Sequence, residues 1–174
     1  MGASQMLLGR KQEAIENFTK AIALDSNYTS PYLNRAKALR ENNDYANSLA
    51  DYNKLLSLNV KLPEVYEGIG LAKYFFKEYD ASIENYNSAI ALNPSDPHYY
   101  SNRGLAKSEL KDYDGALKDY NQAIALDDKF HTAYFNIGVL KFNTGNTSEA
   151  CEYFSKARSL GNTEVENIID KYCR

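Results

Sequence analysis

The chain has 174 residues, of which 44% are hydrophobic and 25% charged, an ordinary balance for a globular protein. Its net charge of −3 and the absence of a dense Lys/Arg stretch argue against nucleic-acid binding. No apolar run approaches the roughly 18 residues of a membrane span, and the opening residues MGASQMLLGR lack the basic and apolar regions of a signal peptide.

A triplet of an aromatic, a small or aliphatic residue and a leucine recurs five times at a fixed period of 34 residues. Its members are Phe18/Ala21/Leu24, Tyr52/Leu55/Leu58, Tyr86/Ala89/Leu92, Tyr120/Ala123/Leu126 and Phe154/Ala157/Leu160. A period in this range marks stacked repeats, each packing mainly on its neighbours.

Residues 1–28 carry a first repeat with Met1 at position 7 of the 34. On this register the opening turn of its first helix is absent: either a longer protein was trimmed, which is the favoured expectation, or a natural start leaves a frayed helix, and secretion of a longer precursor stays open. Repeats 2, 3 and 4 occupy residues 29–62, 63–96 and 97–130, and repeat 5 occupies 131–162. Residues 163–174 follow Gly161, a helix C-cap, and place Val165, Ile168, Ile169 and Tyr172 on one face of a capping helix.

Within each repeat the spacing predicts two antiparallel helices. Position 4 is Tyr32, Tyr66, Tyr100 and Tyr134; position 8 is small (Gly2, Ala36, Gly70, Gly104, Gly138), as is position 20 (Ala14, Ser48, Ser82, Ala116, Ala150). Two small residues let the helices approach, and the aromatic at position 24 fills the space beside them. Turn residues separate the helices at Glu41-Asn42-Asn43-Asp44, Lys111-Asp112 and Thr144-Gly145-Asn146, and the repeats at Asn93-Pro94-Ser95-Asp96 and Gly161-Asn162.

This pattern resembles the tetratricopeptide repeat (TPR) over nearly the whole chain. Val60 and Asp128 stand where that family often has proline, and Leu55 replaces the usual alanine. The resemblance implies an all-α, right-handed α-solenoid of antiparallel helix pairs, with about five repeats plus the C-terminal capping helix. It implies a non-enzymatic scaffold that binds a peptide or helix of a partner protein in a concave groove. The alternative is a structural segment that self-associates or packs on upstream repeats.

Ten of the fifteen tyrosines occupy positions 4, 17 or 24 and read as core; Tyr28, Tyr74, Tyr99, Tyr153 and Tyr172 fall elsewhere. Position 7 is arginine in repeats 2 and 4 only, where position 23 is aspartate. That covariation predicts structural pairs Arg35–Asp51 and Arg103–Asp119. Cys151 and Cys173 flank the turn at Gly161 at similar distances. Two readings stay open: a disulfide, which favours a periplasmic or secreted setting, or two half-buried thiols in a cytoplasmic protein.

No catalytic, cofactor-binding or metal-ligating constellation emerges. His98 and His131 each open a first helix without a ligand partner at metal spacing. Gly68-Ile69-Gly70 lies inside a helical pattern and is no phosphate loop.

The resemblance places positions 2, 5, 6, 9, 12 and 13 of each first helix on the inner face. The candidate groove is then Asn34, Lys37, Leu71, Tyr74, Asn102, Leu105, Phe135, Asn136, Val139 and Phe142, with Met6, Leu33, Arg40, Glu67, Ser101 and Ser108 at related positions. It reads as cationic in repeat 2 and apolar with aromatics in repeats 3 to 5. Asparagine amides can bracket a peptide unit, or serve as caps. Phe135, Phe142 and Tyr74 either face a ligand or pack against neighbouring first helices. The basic-residue clamp by which some family members hold heat-shock chaperone tails is not matched by Leu33/Lys37, Glu67/Leu71 or Ser101/Leu105 with His98, Asn102, Thr132 and Asn136, which argues against that ligand.

Overall fold

The structure, a computed structural model, describes residues 11–173. Ten helices and no strand occur among the described residues. The expectations for Gly2, Met6 and the opening of repeat 1 lie outside them.

The helices fall into two compact units, the first ending at Leu92 and the second starting at Asn93. The first unit holds α1 (Lys11–Leu24), α2 (Thr29–Glu41), α3 (Tyr45–Ser57), α4 (Pro63–Phe75) and α5 (Tyr79–Leu92). The second holds α6 (Pro97–Glu109), α7 (Tyr113–Leu126), α8 (His131–Asn143), α9 (Thr147–Ser159) and α10 (Glu166–Tyr172).

Local chemistry sets the helix ends. Pro63 and Pro97 stand in the first turns of α4 and α6, where no backbone N–H is needed. Asp44, Asp96 and Asp112 accept backbone N–H bonds from Asn47, His98 and Gly115, satisfying donors that a helix start leaves free. Among the described residues, each turn from first to second helix uses a left-handed residue at the same repeat position: Asn43 (φ 60°), Lys77 (φ 61°), Lys111 (φ 63°) and Gly145 (φ 86°). Only Gly145 adopts that conformation freely.

Packing follows the small positions. In the first unit Ser48 Oγ donates to the Ala36 carbonyl and Ser82 Oγ to the Gly70 carbonyl, both at 2.8 Å. A Cβ built on Gly104 would meet the Tyr120 ring at 2.6 Å, and one on Gly138 the Phe154 ring at 2.6 Å. Tyr52, Tyr86, Tyr120 and Phe154 are all fully buried. Burying such a side chain contributes on the order of 2–3 kcal/mol.

Two tyrosines depart from the register. Tyr113, at a packing position, is 37% exposed, because it opens α7 at the rim of the helix pair. Tyr99, off the pattern, is buried. The capping helix is also shorter than its hydrophobic face suggests. It runs from Glu166 to Tyr172, with Val165 as its N-cap. Val165 and Ile169 are buried against Ala150, Phe154 and Ala157, and Ile168 packs alongside. Tyr172 stays 44% exposed with its ring 4.9 Å from that of Phe142.

Candidate protein-binding face

In the first unit, the candidate residues Asn34 and Lys37 lie on α2 and Leu71 and Tyr74 on α4, all half-buried. The cationic character expected of repeat 2 is offset by acids from the next first helix. Lys37 Nζ meets Glu64 at 2.6 Å and Arg40 Nη1 meets Glu67 at 3.0 Å. Burial lowers the Arg40 pKa, but Glu67 and its neighbours outweigh it, so the guanidinium sits above its ordinary value. Both pairs join residues 27 apart, position 9 to the following position 2 and position 12 to the following position 5. That offset was the available signal for these bridges. Tyr74 lies in a ring cluster with Phe75 (5.8 Å, edge-on) and Tyr79 (5.6 Å).

In the second unit, Asn102 and Leu105 on α6 are half-buried, as are Phe135, Val139 and Phe142 on α8. Asn136 is only 7% exposed, and its Nδ2 donates to Ser101 Oγ at 3.1 Å. Its amide ties α8 to α6. Phe135, Val139 and Phe142 pack onto the cluster around Phe154, Val165 and Ile169. Phe135 lies 6.0 Å from the Phe154 ring and Phe142 against Tyr172, so these aromatics rest on their own second helix and on α10. Among the described candidate residues, Asn34, Leu71, Asn102 and Leu105 are half-buried and outside such ties.

The structure brings Arg35 to Asp51 with Nε at 2.7 Å and Nη2 at 2.6 Å, a forked geometry, and Nη1 reaches Thr19 at 2.9 Å. Asp51 holds the Arg35 pKa above its ordinary value. Arg103 meets Asp119 the same way, with Nε at 2.9 Å and Nη2 at 2.5 Å, and Lys107 joins at 2.8 Å. Asp51 and Asp119 are each 4% exposed. Cys151 and Cys173 are disulfide-bonded.

Among the described residues, no group of three or more His, Cys, Asp and Glu is placed to hold a metal ion, and no helix is long and apolar enough to cross a membrane. The N-cap Asp96 accepts from the His98 backbone N–H and lies 2.9 Å from its ring Nδ1, the His98 ring packs edge-on against Phe130, and His131 faces Asn162.

Antiparallel helix pairs repeated at fixed register, with first helices tied by inter-repeat bonds, define an α-solenoid scaffold of the kind typical of protein–protein interaction. The chain belongs to the tetratricopeptide repeat family: residues 1–28, 29–59 and 131–160 match the family model described as tetratricopeptide repeat, and residues 77–110 and 108–145 match one described as TPR repeat. Proteins of this family and fold are typically non-enzymatic scaffolds. The crystal structure of MamA superposes with a TM-score of 0.81 at 25% identity, covering 95% of this chain and 97% of that one. YrrB, described as a TPR protein with an unusual peptide-binding site, has the same fold at 18% identity and a TM-score of 0.76, covering 98% of this chain and 88% of its own. The DnaJ homolog subfamily C member 7 homolog of Dictyostelium discoideum is 33% identical over 76 residues, 44% of this chain. The chain spans 14% of that relative's length.

Proposed function

We propose that this chain is a non-enzymatic scaffold that holds a peptide or helix of a partner protein on the first-helix face. The observation that carries this reading is the set of half-buried side chains on that face: Asn34 on α2, Leu71 on α4, and Asn102 and Leu105 on α6. Apolar groups left on an otherwise solvated helix face usually mark contact sites. The Lys37–Glu64 and Arg40–Glu67 bridges leave the first unit's share of the face near electrical neutrality. Shape and apolar contact therefore dominate recognition there, with the Asn102 amide available to a main-chain group. The Cys151–Cys173 bond supports an oxidising compartment, where disulfides persist.

Photo-crosslinking tests this. A benzophenone side chain at position 71 or 105 is expected to capture one discrete partner, and one at Glu84 or Lys118 to capture none. The same yield from all four positions would overturn the reading.

Self-association is the second reading, and one patch favours it. Phe75 and Phe76 are 50% and 43% exposed at the end of α4, and Tyr45 stacks on Phe75 with ring centres 4.0 Å apart. Light scattering of the chain and of a Phe75→Ser/Phe76→Ser variant decides it: a concentration-dependent dimer abolished by the substitutions supports it, and a monomer at all concentrations removes it.

A further inference from the structure

The tyrosine at position 4 carries a cation over its ring in three repeats. In repeat 2 the Arg35 guanidinium carbon lies 5.8 Å from the Tyr32 ring centre while its nitrogens fork onto Asp51. In repeat 4 Arg103 lies 5.5 Å from the Tyr100 centre and forks onto Asp119. Repeat 5 lacks both arms of this arrangement. Ile137, fully buried, replaces the arginine, and Tyr153 replaces the aspartate. Tyr134 nevertheless keeps a cation, Lys156 Nζ at 5.7 Å, which reaches over from α9. Beside it lies a cavity of about 420 Å³ lined by Tyr134, Glu149, Glu152, Tyr153 and Lys156. That volume is within the roughly 300–1,000 Å³ of ligand sites.

We propose that this cavity receives an arginine side chain from a partner polypeptide. The chain itself shows what the chemistry suits: a tyrosine face beside a carboxylate is how it holds Arg35 and Arg103. Glu149 is already bridged to Lys141 at 2.6 Å, so Glu152, which is exposed, is the carboxylate that takes the guanidinium. Arginine stacks on an aromatic face and forks onto a carboxylate better than an ammonium does, because it is planar and more weakly hydrated. Lys156, exposed on a flexible stem, gives way to it. The site shares no residue with the candidate first-helix face, so it stands or falls independently of the reading above.

The test is an NMR titration of the whole chain with N-acetylarginine amide and, separately, N-acetyllysine amide. Arginine amide is expected to shift the Tyr134 and Tyr153 ring signals and to bind about fivefold tighter than lysine amide. Glu152→Gln and Tyr134→Leu are each expected to weaken it at least about fivefold. Tyr134→Phe, which keeps the ring, retains binding and controls for folding, and Glu84→Gln on α5 changes nothing. Equal binding of the two amides, shifts scattered over the surface, or no saturable response to arginine amide would each overturn the proposal.

Discussion

The Tyr52 ring occupies the space that a side chain on Gly68 would need: a Cβ built there falls 2.2 Å from two ring carbons and 2.7 Å from the hydroxyl oxygen. The contact joins the second helix of repeat 2 to the first helix of repeat 3, inside the first unit. Tyr52 is fully buried and cannot swing into solvent without opening that core. Repeats 2, 4 and 5 have Asn34, Asn102 and Asn136 at the position of Gly68. Gly68→Ala is therefore expected to destabilise the chain by about 2–3 kcal/mol through overpacking. A denaturant midpoint unchanged from wild type would contradict this, and Tyr52→Leu in the same background should recover part of the loss.

The two arginine–aspartate pairs differ in a way that stability measurements can read. Among the described residues Asp51 meets one cation, Arg35, whereas Asp119 meets both Arg103 and Lys107. Removing one partner from a buried pair leaves an uncompensated charge and costs ~3–5 kcal/mol. Arg35→Met is expected to approach that range. Arg103→Met is expected to cost less, because Lys107 still neutralises Asp119. Urea denaturation of both variants, with Asp51→Asn and Asp119→Asn to complete the cycles, checks the order; equal losses would refute it.

The fold was legible because the small–small–aromatic pattern at positions 8, 20 and 24 is a purely local constraint on one helix pair. Phe154 over Gly138 and Tyr120 over Gly104 could be read from a single repeat. The candidate face was harder, because its side chains are placed by the neighbouring repeat. Asn136 looked available for a ligand until its bond to Ser101, a residue of the preceding repeat, accounted for it. Lys37 and Arg40 looked like a basic patch until Glu64 and Glu67 met them across 27 residues. Phe142 turned toward a helix whose exact span the hydrophobic pattern did not fix.

Alkaline pH is expected to unfold the first unit early. Burial pushes the Tyr52 hydroxyl up to about 12, with Arg40 pulling it down and Glu67 adding to the rise. Burial also raises Tyr86, further still, again with Glu67 adding. Both groups are protonated in the fold and ionise near pH ~10 when unfolded. Their contribution is whole below about pH 10 and is lost as the pH rises through 10 toward the raised folded values. The Tyr52→Phe/Tyr86→Phe variant should therefore lose less stability between about pH 10 and 12 than wild type. Circular dichroism melts across that range supply the comparison, and parallel curves for the two proteins would count against it.

The last helix is expected to depend on its covalent tie. With seven residues, α10 is too short to hold itself in water, and Val165 and Ile169 supply its main buried contacts. The Cys151–Cys173 bond spans 22 residues around the turn at Gly161. Closing a loop of that size removes chain entropy worth ~3 kcal/mol from the undocked state. Reduction with a dithiol, or Cys151→Ser with Cys173→Ser, should lower amide protection in α10 by about a hundredfold. Protection in α6 and α7, which carry neither cysteine, should stay as it was. Undocking should also uncover Phe142 and Phe154, so a dye that fluoresces on apolar surfaces should brighten on reduction. Hydrogen exchange that leaves α10 equally protected in the oxidised and reduced chains would mean that Val165 and Ile169 hold the helix without the bond.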